Sequence, residues 1–326
     1  MTRTEAEALE EAPVVVETQE LTMDFGGGVV ALNHVNLKIH AGEIFGILGP
    51  NGSGKTTMMR ILTGLLDPSS GSASVGGIDV QKDPESVKKM IGYVAQRVSL
   101  YEDLTIEENI EFYASIYGSP DGQGSVKERA ARALDEYGLS QRRHQMAGQL
   151  SGGWRQRVAL GCATMHQPKL VFLDEPTAGL DPATRRDFWE TIHQIAQRGT
   201  TIIVNTHYTD EADRCHRVGF LFGGNLLEVG PPKQLSEQLG IEVVELEVDN
   251  GEKAASVLSR QPGVLEVGHF GHILRVATKG AEAQSLVRDA LQGEVELSSL
   301  LPARSTIEDV FVAKVREIAK QQGGQL

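Results

Sequence analysis

Cysteine is scarce in this chain. Only Cys162 and Cys215 occur in 326 residues. Their separation gives neither a metal-ligand spacing nor a disulfide framework, so two free thiols in a reducing compartment are expected. Long apolar runs are also missing. The longest, around Leu170–Leu173 and Thr201–Val204, are strand-sized, well short of the about 20 residues that cross a bilayer as a helix. The stretch Thr4-Glu5-Ala6-Glu7-Ala8-Leu9-Glu10-Glu11 is acidic and has no apolar signal core, so export is not expected. Basic residues are outnumbered, with 31 Lys and Arg against 44 Asp and Glu and a net charge of −13. Nucleic-acid binders usually carry a basic face, so no nucleic-acid partner is expected. The densest basic triplet, Arg142-Arg143-His144, reads as a solvated turn. There is no internal repeat and no low-complexity tract.

Hydrophobic residues make up 40% of the chain, enough for buried cores, and the length suits two domains. The pattern predicts a disordered acidic start over 1–12, an α/β domain over 13–235 and a small α+β domain over 240–320. Short strands are predicted at Val14–Val16, Val30–Leu32, Val35–Ile39 and Glu43–Leu48, broken by Gly26-Gly27-Gly28, Asn33-His34 and Ala41-Gly42. A helix after Thr56 is predicted to stop at Asp67-Pro68-Ser69-Ser70-Gly71. Residues 105–165 read as helical. One apolar stripe is Ile106, Ile110, Phe112, Tyr113 and Ile116, and a third helix starts at Ser151. From Leu170 strands and helices alternate, which implies a parallel sheet covered on both faces. After residue 240 the order is strand, helix, strand, strand, helix, strand, as in a ferredoxin-like fold. A last helix is predicted with Ser305 and Glu308 as a capping box.

Three segments carry chemistry. Gly49-Pro50-Asn51-Gly52-Ser53-Gly54-Lys55-Thr56 lies between a strand and a helix. Glycines there let successive N–H groups point at one anion, and the helix N-terminus adds positive potential. Lys55 is expected to reach the β- and γ-phosphates and Thr56 to ligate Mg²⁺. Asp174 and Glu175 end the apolar strand Leu170–Leu173, where open α/β sheets bind ligands. Asp174 suits Mg²⁺ and Glu175 suits polarising the attacking water. His207 follows the strand Thr201-Ile202-Ile203-Val204, which is expected to neighbour that of Asp174 and so aim the imidazole at the γ-phosphate. Between these lies Leu150-Ser151-Gly152-Gly153.

In this order over about residues 13–235, the motifs resemble the nucleotide-binding subunit of an ATP-binding cassette transporter. Gly49–Thr56 matches the Walker A motif, Gln96 the Q-loop, Leu150–Gly153 the signature and Leu170–Glu175 the Walker B strand. Ala178-Gly179-Leu180-Asp181 matches the D-loop and His207 the switch histidine. The resemblance implies a P-loop ATPase with a mostly parallel core sheet, an N-terminal antiparallel β-subdomain and a helical subdomain at about 98–165. It implies ATP and Mg²⁺ as cofactors, hydrolysis to ADP and phosphate, and catalytic roles for Glu175, His207, Gln96 and Lys55. ATP contacts are implied for Phe25, Gly49, Asn51, Gly52, Ser53, Gly54, Lys55, Thr56, Thr57, Ser151, Gly152, Gly153 and Asp181, and Mg²⁺ contacts for Thr56, Gln96 and Asp174. Phe25 takes the place of the aromatic that stacks on adenine. Trp154 departs from the family pattern, which has Gln there.

The resemblance also implies partners. Two subunits face head to tail, so Ser151 of one reaches the nucleotide on Lys55 of the other. A separate permease docks on Val98–Glu107, placing the chain on the cytoplasmic side of the membrane. Thr206–Ala212 and Ile307–Phe311 resemble exporters of drugs, antibiotics, lipids or polysaccharides of the daunorubicin-exporter type. The tail domain is expected to serve dimer contact or regulation. The alternatives are an importer ATPase with a regulatory tail and a cassette protein that does not serve transport.

Overall fold

In a computed structural model, residues 11–97, 99–117, 124–238, 240–280 and 282–321 are described. The chain divides into two compact units, Met1–Glu228 and Val229–Leu326.

The first unit holds two sheets. One is antiparallel, with strand order β2-β1-β4-β5. Its strands are β1 (Val14–Asp24), β2 (Val30–His40), β4 (Ser70–Val75) and β5 (Ile78–Asp79). The other has the order β10-β9-β3-β8-β7-β6. It contains β3 (Ile44–Leu48), β6 (Ile91–Val94), β7 (Leu170–Asp174), β8 (Thr201–Thr206), β9 (Arg217–Phe222) and β10 (Asn225–Gly230). From β9 to β6 every pairing is parallel. Each residue of β3, β7 and β8 is buried, as a sheet covered on both faces requires. The helices are α1 (Lys55–Leu62), α2 (Pro84–Met90), α3 (Ile106–Tyr117), α4 (Val126–Glu136), α5 (Gly152–Thr164), α6 (Pro182–Gln197) and the short α7 (Thr209–Ala212).

Three local expectations are corrected. Val30–Leu32 and Val35–Ile39 form one strand, not two. Asn33-His34 is absorbed as a bulge, with His34 at φ 50° and a register shift opposite. Helix α1 stops at Leu62, before Asp67–Gly71, because Gly64 takes φ +68° and its N–H donates to the Ile61 carbonyl. The stripe on α3 is not buried as a whole. Ile106 and Ile110 are buried, but Phe112 and Ile116 are exposed. Asn109 joins the buried face instead, its amide donating to the carbonyls of Tyr101, Leu104 and Thr105. The strands β4, β5 and β10 and the helix α2 went unpredicted, being short and, in Ser70–Val75, rich in Ser and Gly.

The second unit starts with α8 (Pro232–Gln238). There follow β11 (Ile241–Val248), α9 (Gly251–Leu258), β12 (Val264–Phe270), β13 (Ile273–Lys279), α10 (Ala283–Leu291) and β14 (Leu297–Ala303). The sheet runs β12-β13-β11-β14, antiparallel throughout. That is the strand order of a ferredoxin-like fold. Val244, Leu246, Leu258, Leu274, Val276 and Leu291 form its core. The last helix, α11 (Ile307–Gln321), is capped one residue later than expected. Thr306 and Asp309 exchange the capping bonds, while Ser305 donates to the Ser236 carbonyl. Among the described residues no group of three or more His, Cys, Asp or Glu could hold a metal. No described helix is long and apolar enough to cross a membrane. Both cysteines are free and buried.

Candidate nucleotide site

Strand β3 runs into a tight loop that opens α1. Gly54 sits at φ +107°, and a Cβ there would lie 2.2 Å from the Ala31 carbonyl oxygen. Only glycine meets both demands. The turn delivers Lys55 into the interior, where 4% of it is exposed. Its ammonium donates to the carbonyls of Gly49 at 2.7 Å and Pro50 at 3.0 Å, and stands 3.7 Å from Glu175 Oε1. Burial pushes the Lys55 pKa down, and the Glu175 and Asp174 carboxylates oppose the shift. Ser53, also buried, has a hydroxyl with no partner.

Two carboxylates face this loop from the end of β7. Asp174 Oδ1 accepts from Thr56 Oγ1 at 3.3 Å and from Asn205 Nδ2 at 3.0 Å. Burial raises the Asp174 pKa, against the pull of the Asn205 and Thr56 hydrogen bonds. Glu175 follows at φ 48°, in the left-handed region, with its N–H bonded to the Asn205 carbonyl at 3.1 Å. Its Oε2 accepts from Gln96 Nε2 at 3.1 Å and lies 3.4 Å from His207 Nδ1. The pairing of β7 with β8, which sets Asp174 opposite Asn205, brings His207 here. Lys55, Gln96 and His207, far apart in sequence, thus converge on one carboxylate. Gln96 stands with Glu175; among the described residues no hydrogen bond joins it to Thr56 or Asp174.

The remaining expected residues lie elsewhere or stand open. Phe25, in the turn between β1 and β2, is 55% exposed. Asn51 and Gly52 are exposed in the loop, and Thr57 is half-buried on α1. Ser151 and Gly152 are exposed at the start of α5, and the Ser151 side chain makes no capping bond to that helix. Gly153 packs against α6, where a Cβ would meet Thr184 Cγ2 at 2.3 Å. Among the described residues no hydrogen bond or ion pair links Ser151–Gly153 to Lys55. Asp181 caps α6, accepting from the N–H groups of Ala183 and Thr184. The Trp154 ring lies 4.6 Å from the Arg142 guanidinium and 5.2 Å from that of Arg157. Arg143 pairs with Glu107, so the basic triplet is partly engaged rather than only solvated. Sequence reasoning missed Asn205, a buried amide at the end of the apolar strand before His207, whose polarity in that strand was the available signal.

The model for the family described as ABC transporter matches residues 32–178. The linearmycin resistance ATP-binding protein LnrL of Bacillus subtilis is 33% identical over 285 residues, covering 85% of this chain and 91% of that protein. The chain belongs to the ABC transporter family. It has the fold of an ABC ATPase. The probable multidrug ABC transporter ATP-binding protein YbhF of Escherichia coli is 42% identical over 225 residues. That match covers 69% of this chain but only 38% of YbhF. Among solved structures, a dimeric ATP-binding cassette in a post-hydrolysis state with ADP and Pi aligns with TM-score 0.60 and 29% identity. It covers 66% of this chain and 98% of the cassette.

Proposed function

We propose that this chain is the ATP-hydrolysing subunit of an exporter of drugs or related amphiphiles, working through a separate permease. The convergence of Lys55, Gln96 and His207 on Glu175 carries the site reading. The ATP triphosphate displaces the Lys55 ammonium from the Gly49 and Pro50 carbonyls. The exchange is favourable because a largely desolvated cation gains anionic oxygens for neutral ones. Loop N–H groups and the Ser53 hydroxyl complete the cradle. Glu175, oriented by Gln96, takes the proton of a water whose oxygen attacks the γ-phosphorus. The bond to the β–γ bridging oxygen breaks, and ADP and phosphate leave. His207 holds the γ-phosphate side of that carboxylate.

The donors present suit Mg²⁺, which takes one or two carboxylates together with substrate phosphates. Asp174 and Thr56 present hard oxygens 3.3 Å apart, with Gln96 one residue group away at Glu175. When bound, Mg²⁺ neutralises charge building on the β- and γ-phosphate oxygens. Asp174 contributes the charge, and Asn205 holds its orientation.

The Ser151 hydroxyl and the exposed N-terminus of α5 offer donors, and the Ser151 side chain makes no capping bond to that helix. They serve the nucleotide of a second copy, so ATP closes the pair and hydrolysis reopens it. Permease docking falls on the segment ending at Glu107; Val98, its first residue, lies outside the described residues. Tyr101 packs edge-on against Phe112 at 4.7 Å, and both are exposed beside Ile116. An adjoining cleft of about 230 Å³ is lined by Tyr93, Leu100, Tyr113 and Tyr117. Exposed aromatics of this kind mark interaction surfaces. The names of LnrL and YbhF, which specify linearmycin resistance and multidrug transport, support a drug substrate.

Mixing tests the shared site. Full-length Lys55→Ala and Ser151→Arg chains are each expected to hydrolyse ATP poorly alone. Together they regain activity, since a mixed pair has one site with both native halves. No gain on mixing contradicts the shared site. For transport, the chain purified from native membranes should bring down a multi-span membrane protein, lost with Tyr101→Asp; ribosomes in its place contradict the exporter reading.

A further inference from the structure

One buried carboxylate near the site has no part in the scheme above. Glu211, on α7, is 0% exposed. Its Oε2 accepts from Thr206 Oγ1 at 2.6 Å, and its Oε1 accepts from Thr177 Oγ1. Thr206 directly precedes His207, and Thr177 lies two residues after Glu175. Both threonines are 1% exposed. The Arg185 guanidinium supplies the counter-charge, with Nε 3.7 Å from Glu211 Oε1. It also lies 4.2 Å from the Tyr208 ring, which in turn sits 4.1 Å from the His207 ring. The Tyr208 N–H donates to Thr206 Oγ1 at 3.0 Å.

Burying an ionised carboxylate is costly unless it is paired and hydrogen-bonded, and an apolar residue could fill this space without that cost. The position of Glu211 suggests what it secures. Pairing of β7 with β8 ends at Asp174 and Asn205. Past the last ladder bond, from the Glu175 N–H to the Asn205 carbonyl, the loops bearing Glu175 and His207 are no longer joined as strands. Glu175 itself holds φ 48°, a conformation that persists only where its surroundings enforce it. Glu211 ties the two loops together from behind.

We propose that Glu211 is a positioning residue, one whose two oxygens hold Thr177 and Thr206 and so set how Glu175 and His207 face the nucleotide. This rests on the roles given above to Glu175 and His207.

The test is steady-state ATP hydrolysis by the full chain, with kcat and KM for ATP measured with and without His207→Ala. Glu211→Gln should lower kcat by about 10- to 100-fold, the order lost when a reacting group is misplaced by about 1 Å, and leave KM unchanged. In the His207→Ala chain it should lower kcat by less than in the native chain, since only its hold on Glu175 through Thr177 is then left to lose. Thr177→Val should repeat the loss in kcat, and Thr177→Ser, which keeps the hydroxyl, should restore the rate. These two variants decide the matter by the same readings if Glu211→Gln does not fold. Equal losses with and without His207, or a normal kcat for Glu211→Gln beside a crippled His207→Ala chain, overturn the inference alone. A His207→Ala chain with full kcat overturns the reading of the site, and the inference with it.

Discussion

Arg275 in the C-terminal unit and Lys55 in the cassette are both largely buried cations, yet they are treated differently. Every nitrogen of the Arg275 guanidinium is engaged: Nε and Nη2 with Asp309, Nη1 with Glu245, and Nη2 also with the Arg304 carbonyl. Lys55 rests on two loop carbonyls and stands 3.7 Å from a carboxylate. The same contrast holds more widely. Among the described residues, the buried side-chain atoms without a hydrogen-bond partner all fall in the first unit; Ser53 Oγ, Asn205 Oδ1 and His207 Nδ1 lie at the site, while others, such as Arg129 Nη1 and Trp189 Nε1, lie away from it. A saturated ion pair stabilises a fold; polar valence left open beside the phosphate loop is a place for a ligand. Polar burial therefore separates a site from a scaffold only when the partners are counted.

The sharpest break of this comparison is kinetic. Glu175→Gln should cut ATP turnover by about 10²–10⁴-fold, the usual worth of a general base, while Mg·ATP still binds. Turnover near that of the native chain, measured by phosphate release, would remove Glu175 from its role.

Next come the two aspartates, whose pH dependences should have opposite signs. Burial works against ionised Asp309, but Arg275 and Thr306 more than compensate, and its carboxyl is held below the usual range. A depressed folded-state value means stability that is present above the unfolded value of about 4 and is lost as pH falls through the folded one. Asp309→Asn should therefore destabilise the C-terminal unit at neutral pH by about 3 kcal/mol, as breaking a buried pair does, and flatten its acid unfolding. Burial holds Asp174 above its usual range, so its ionised form costs stability as pH rises through that value. Asp174→Asn should raise the melting temperature of the nucleotide-free cassette while abolishing hydrolysis. Melting curves against pH check both.

Smaller effects follow at the rim. Phe25→Ala should weaken ATP by about 1–3 kcal/mol, the worth of base stacking on an aromatic, and leave triphosphate alone unaffected, as calorimetry with each ligand would show. Trp154→Gln, which restores the family residue, should cost less than about 1 kcal/mol of stability, the range of an exposed cation–π contact, and leave turnover nearly unchanged.

The site was legible because its parts sit at the ends of apolar strands, where a sequence pattern breaks sharply. Leu170–Leu173 ends in Asp174-Glu175, and Thr201–Val204 leads to His207. The parallel sheet and the βαββαβ order of the second unit were readable for the same reason, since strands there alternate with helices of distinct period. What was hidden depended on backbone conformation or distant partners. The bulge at Asn33-His34 preserves a strand that a turn signal should break. Gly64 ends α1 earlier than the Pro-containing turn does. Asn109 looks like a surface residue until three carbonyls 4 to 8 residues away are seen to claim its amide. Glu211 was read only as part of the exporter-like segment Thr206–Ala212; its role depends on its bonds to Thr177 and Thr206, which only the folded chain shows.

The central claim is that one ATP is held between Lys55 of one copy and Ser151 of another. Sedimentation of the full-length Glu175→Gln chain in saturating Mg·ATP tests it most directly, alone and with Ser151→Arg added. The expected result is a two-chain species that forms only with Mg·ATP and reverts to single chains when Ser151 is replaced. A chain that stays monomeric throughout, or a pair indifferent to Ser151, contradicts it.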